Sequence, residues 1–116
     1  MENLKINNLN TSKISKNKKI YFLKNELSLI LSIYSKYVSK GIWKDYAIDN
    51  KVDFALFSFY RHTYELPIYS IEKKIFKNKK NITFNILKKN KKLYSSNDLR
   101  EVINKLNHLP KLVNKI

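Results

Sequence analysis

The sequence predicts an α+β fold: an N-terminal helix, an antiparallel sheet of three to four strands and a C-terminal helix, arranged as a two-layer sandwich. Three observations carry it. Leu27, Ile30, Leu31, Tyr34, Tyr37 and Val38 recur at the spacing of one buried helix face. Phe54 to Tyr60, Ile68 to Ile75 and Ile82 to Leu87 are short aromatic or β-branched runs separated by turn residues. A second apolar stripe, Leu99, Val102, Ile103 and Leu106, follows them and stops before Pro110.

In chain order, Ile20 to Leu23 is a short apolar run, either a strand or an extended lead-in. Asn25 is placed to cap the first helix, with Glu26 at the positive end of its dipole. Lys36 and Lys40 suit the other end, and Gly41 the left-handed position after it. Ile42 to Asp49 mixes apolar and charged residues and reads as a turn with helical character. Phe54 to Tyr60 is nearly all apolar, as in a strand covered on much of both faces. Pro67 can open the next strand because a first residue need not donate to the ladder. In that strand Tyr69, Ile71 and Lys73 share one side, and Ile68, Ser70 and Glu72 the other. Turns follow at 78–81 and at Asn90, with Leu93-Tyr94 after the second. Ser95 and Asp98 have the spacing of a capping box opening the last helix.

Length and composition narrow the function. The 116 residues make one domain, 18–110, between a disordered basic tail at 1–17 and a flexible end at 111–116. There is no cysteine, so disulfides and thiolate chemistry are excluded, and a single glycine argues against a phosphate-cradling loop. No run reaches the roughly 18 apolar residues of a membrane span. A soluble cytoplasmic protein without a cofactor is the expectation.

Charge is unevenly spread. The formal net charge is +15, yet 41–72 holds three basic residues against five acids. Residues 73–92 then contain nine lysines and no acid: Lys73, Lys74, Lys77, Lys79, Lys80, Lys88, Lys89, Lys91 and Lys92. They flank two turns at opposite ends of one strand, with Phe76 and Phe84 interleaved, a pattern suited to phosphates and base stacking. Solvation, edge protection and the codon bias of an A+T-rich genome account for the same lysines equally simply. Scarce arginine disfavours base-specific readout, which relies on bidentate guanidinium contacts.

The middle segment holds the other candidates. Trp43, Tyr46, Phe57, Phe59 and Tyr69 read as core, or as a partner surface if they are exposed together. Asp45 and Asp49, four apart, would share a face if that segment is helical, where they could bind a cation or, more simply, pair with Lys44 or Arg61. Arg61 offers a planar fork for Glu65 or Asp49. His62 could act as a base oriented by Glu65 or Glu72, yet no serine, second histidine or metal cluster surrounds it, so no enzyme is expected.

The strings Gly41-Ile42-Trp43-Lys44-Asp45-Tyr46-Ala47-Ile48-Asp49 and Glu65-Leu66-Pro67-Ile68-Tyr69-Ser70-Ile71-Glu72-Lys73, in this order and spacing, resemble a family of small uncharacterised alphaproteobacterial proteins, the DUF2794 domain of unknown function. The likeness covers roughly 20–106. It implies a cytoplasmic bacterial protein, basic after Glu72-Lys73, with arginines in the family where this chain has Lys77, Lys79 and Lys80. It also implies a glycine near the later turn, where this chain has Asn90. No functional residues come with it.

Two readings follow. In one, the protein is a non-enzymatic binding module whose basic loops contact RNA, DNA or a nucleoprotein. In the other it is a protein-interaction or regulatory adaptor using Trp43, Asp45, Tyr46, Asp49, Arg61 and Glu65, with an exposed Trp43-Tyr46 patch as its anchor.

Overall fold

Phe54 to Tyr60, the most apolar and β-prone run, lies near the middle of the sheet in the computed structural model of the protein, which describes residues 18–62, 65–76 and 81–111. The order is α1 (Lys24–Ser39), β1 (Asp45–Asn50), β2 (Phe54–Tyr60), β3 (Tyr69–Ile75), β4 (Ile82–Lys88), β5 (Lys91–Ser96) and α2 (Leu99–His108). The five strands form one antiparallel meander in sequence order. Three to four are expected from the sequence. The additional strand is β1, whose Tyr46, Ala47, Ile48 alternation, flanked by aspartates, had read as a turn with helical character.

Register explains the core. Phe57 pairs with Ile71, Ile71 with Ile86 and Ile86 with Tyr94, so one row crosses four strands on one side. Phe59 with Tyr69, and Ala55 with Lys73 and Phe84, extend that side. The helices bring Ile30, Ile33 and Tyr37 from α1 and Leu99, Val102 and Leu106 from α2 into the same buried cluster. Fully burying each such side chain stabilises the fold by about 1.5–3 kcal/mol. Ile33 sits deeper than expected; Leu31 and Val38, expected on the buried face, lie 38% exposed on a flank.

Helix ends are made locally. Glu26 Oε1 accepts the Leu23 N–H at 2.8 Å, so α1 starts two residues before Asn25 would have capped it. At the other end the Gly41 N–H reaches Val38 O at 2.8 Å and the Ile42 N–H reaches Tyr37 O at 2.9 Å, a Schellman closure. Gly41 takes φ +74°, which only glycine adopts without strain. This turn delivers Trp43 onto Phe59, ring centroids 4.3 Å apart. For α2 the cap is Asp98, accepting from Arg100 N at 3.0 Å, while Ser96 rather than Ser95 bonds Glu101 and the Asp98 N–H.

The opposite side of the sheet mixes polar residues with Phe54, Leu56 and Leu87. Ser58 and Ser70, cross-strand partners, share a 2.9 Å hydrogen bond, and Asn85 donates to Glu72 at 2.7 Å. The lead-in is extended rather than a strand, with the Ile20 N–H on Lys51 O at 2.7 Å and Phe22 buried edge-on to Phe57. Lys111, assigned from sequence to a flexible end, is buried, with Nζ donating to Asn107 O at 2.7 Å and to Leu109 O. The tail expected at 1–17 lies outside the described residues.

Candidate nucleic-acid interface

The nine lysines do not form one array. Alternation along β3 sends Lys73 to the helix side and Lys74 to the other. Lys73 is 3% exposed; its Nζ lies 2.8 Å from Glu26 Oε1 and 3.1 Å from Tyr21 O. A cation so placed ties α1 to the sheet and is withdrawn from any phosphate. Lys73 therefore leaves the candidate set. Lys74 is half-buried beside Phe54 and Thr83. Lys77, Lys79 and Lys80 lie outside the described residues.

What gathers is the β4–β5 turn. Lys89 and Asn90 take φ +51° and +65°, the two left-handed residues of a tight I′ hairpin turn. Lys89, Lys91 and Lys92 are exposed around it. Lys88 is half-buried with Nζ 5.4 Å from the Tyr69 ring centroid. Sequence reasoning missed Lys105 on α2, whose Nζ lies 5.8 Å over the Tyr94 ring and adds to the same side. The sequence shows only a lysine off the apolar stripe of its helix; that this helix packs on β5 is a property of the fold.

The adaptor set is dispersed. Trp43 is 1% exposed, so burial removes the anchor of that surface. Phe57, Phe59 and Tyr69 are core as expected, but Tyr46 is 43% exposed. Asp45 and Asp49 do share a face, through the two-residue period of β1 rather than a helix turn. Arg61 grips neither Glu65 nor Asp49: among the described residues the one ion pair joins Lys73 and Glu26. Glu65 and His62 are exposed on the β2–β3 connection.

Local electrostatics are shaped by burial. The Tyr34 hydroxyl is pushed up by burial and by neighbouring Asp45 and Tyr46. Burial alone raises Tyr69, whose hydroxyl donates to Pro110 O at 2.5 Å. Lys111 is lowered to about 8, chiefly by burial and then by repulsion from Lys36 and Lys40. A groove of about 320 Å³ between α1 and α2 is lined by Leu29, Ile33, Lys36, Arg100 and Ile103 among others. No group of three His, Cys, Asp or Glu side chains is clustered among the described residues. No helix there is long and apolar enough to cross a membrane.

Residues 20–103 match DUF2794, a protein family of unknown function. The chain belongs to that family. The DUF2794 match covers α1, all five strands and the first half of α2, so the Trp43 turn, the Lys73–Glu26 pair and the β4–β5 turn all lie within it. No curated protein and no solved structure matches the chain.

Proposed function

We propose that the protein is a non-enzymatic, cytoplasmic nucleic-acid-binding module that contacts RNA or DNA phosphates through the β4–β5 turn. The observation that supports the reading is the turn itself. Lys88, Lys89, Lys91 and Lys92 are presented by a two-residue hairpin, and no acid occurs between Lys73 and Asn97. Lys105 extends the rim along α2. The strands hold the turn in place, so a phosphate backbone meets a pre-ordered cluster and the ordering cost on binding is small. Lysine acts as a point charge, so binding should be largely indifferent to sequence. Lys77, Lys79 and Lys80, outside the described residues, would add phosphate contacts to this reading by their charge alone.

The test is fluorescence anisotropy with labelled single-stranded RNA and duplex DNA across a salt series. Replacing Lys88, Lys89, Lys91 and Lys92 with Gln should lower affinity more than tenfold at low salt. The slope of log K against log salt should flatten by about 3–4, since each lost contact releases fewer counterions. A control set of Lys24, Lys44 and Lys51 to Gln should change both less. Equal losses in the two sets would reduce the effect to net charge and sink the reading.

A further inference from the structure

The two edges of the sheet differ in a way the nucleic-acid reading does not use. β5 carries exposed Lys91 and Lys92, the kind of charge that keeps an edge from pairing with another chain. β1, at the other edge, reads Asp-Tyr-Ala-Ile-Asp-Asn and has no lysine in a chain dense with them. The Lys51 N–H to Phe54 O bond (2.8 Å) that closes the β1–β2 hairpin puts odd-numbered residues of β1 in the bonded pairs with β2. Tyr46, Ile48 and Asn50 therefore aim N–H and C=O away from the sheet. Consistently, the Tyr46 N–H is met by its neighbour's side chain, Asp45 Oδ1, at 2.8 Å.

Apolar surface flanks this open edge. Tyr46 and Ile48 are 43% and 39% exposed. Tyr46 meets Tyr34 of α1 edge-on, ring centroids 5.1 Å apart. Leu31 and Val38 lie one turn to either side of Tyr34, on the flank of α1 turned away from the α2 groove. Strand and helix together present an apolar strip, with Lys44 and Lys51 just beyond the two ends of β1.

We propose that this strip is a homodimer interface, in which β1 pairs antiparallel with β1 of a second copy about a two-fold axis through Ile48. Charge selects that register. Centring the pair on Ala47 would set Asp45 opposite Asp49, and centring it on Asp49 would set that aspartate against itself. Centring on Ile48 sets Asp45 opposite Lys51 twice, Tyr46 opposite Asn50, and Ile48 on Ile48. The axis runs perpendicular to the sheet, so both α1 flanks fall on the same side and bring Leu31 and Val38 towards their copies. The contact is isologous and closes at two. The lysine-lined β5 edges end the enlarged sheet on both sides, which blocks further growth. One strand and one helix flank per copy make a small interface, below the roughly 1,200 Å² of the standard class, so the dimer is concentration-dependent.

Sedimentation equilibrium of the full chain over about a hundredfold range of concentration tests this, since mass action populates a weak dimer only at the upper end. The apparent mass should rise towards twice the monomer, and Ile48→Lys should hold it at one monomer with an unchanged melting temperature. Asp45→Lys should weaken the dimer, and adding Lys51→Glu should restore it by reversing the pair. A monomer at every concentration would overturn the proposal. So would a dimer that survives Ile48→Lys, or a monomer whose Ile48 and Asn50 amides resist hydrogen exchange because another segment covers the edge.

Discussion

The lysines buried on the helix side and the lysines around the β4–β5 turn are the same residue type put to opposite uses. Lys73 and Lys111 are 3% and 7% exposed, while Lys89, Lys91 and Lys92 stand in solvent. A buried ammonium has lost its hydration and must recover it from the protein, so it is a structural commitment. An exposed one costs the fold almost nothing and keeps its charge for a partner. In a chain this rich in lysine, count and spacing therefore say little; register and burial assign the role. The two buried ammonium groups also differ from each other. Lys73 meets a carboxylate, whereas Lys111 meets backbone carbonyls and feels the repulsion of Lys36 and Lys40.

The largest effect should come from the Lys73 pair. Glu26→Leu leaves the buried ammonium without its carboxylate, with only the Tyr21 carbonyl as acceptor, and removes the acceptor of the Leu23 N–H, for a loss of about 3–5 kcal/mol. Lys73→Met should cost less, because Glu26 keeps the Leu23 N–H and some solvent access. Combining the two should recover much of the loss, since an apolar pair of similar volume needs no desolvation. Urea midpoints of the three variants check this. A cost below about 1 kcal/mol for Glu26→Leu would mean water reaches the pair, and the contrast between inner and outer lysines would fail.

Lys111 gives an intermediate effect with a defined direction. Its folded value of about 8 lies below that of the unfolded chain, so the folded state holds fewer protons between the two. The charged amine is destabilising below about pH 8, and that penalty is relieved as pH rises from there towards 10.5. Stability should therefore climb across this window. The whole chain also sheds positive charge there, so the informative quantity is the difference from Lys111→Met, which should lack the Lys111 component. Parallel melting curves for the two proteins would show that the amine is already well solvated.

Much of the fold was legible because it is local. Helix periodicity, the Gly41 stop and the paired patterns of β2, β3 and β4 are written in neighbouring residues. β1 was not, since Tyr46 and Ile48 become a strand only by pairing with Phe59 and Phe57. Lys73 was placed correctly on the side of Tyr69 and Ile71, yet its partner lies 47 residues away in α1, a distance no local pattern reports. The same holds for Arg61: its type invited a carboxylate, but only the fold shows whether one is within reach. At the candidate interface, the β4–β5 lysines were visible as a cluster and Lys105 was not, because α2 joins that rim through packing alone.

The smallest effect belongs to the outer turn, where the fold asks little of its lysines and much of its backbone. Lys89 and Asn90 both hold positive φ, a conformation that costs an ordinary side chain about 1 kcal/mol and asparagine less. Asn90→Gly should therefore stabilise the protein by at most about 1 kcal/mol, with the gain trimmed by the extra freedom of glycine in the unfolded chain. It leaves Lys88, Lys89, Lys91 and Lys92 untouched, so nucleic-acid affinity should stay within twofold while the melting temperature rises slightly. A gain in stability accompanied by a large loss of affinity would show that Asn90 itself contacts the ligand. The rim would then be a site of specific chemistry, and more than a surface on which lysines are displayed.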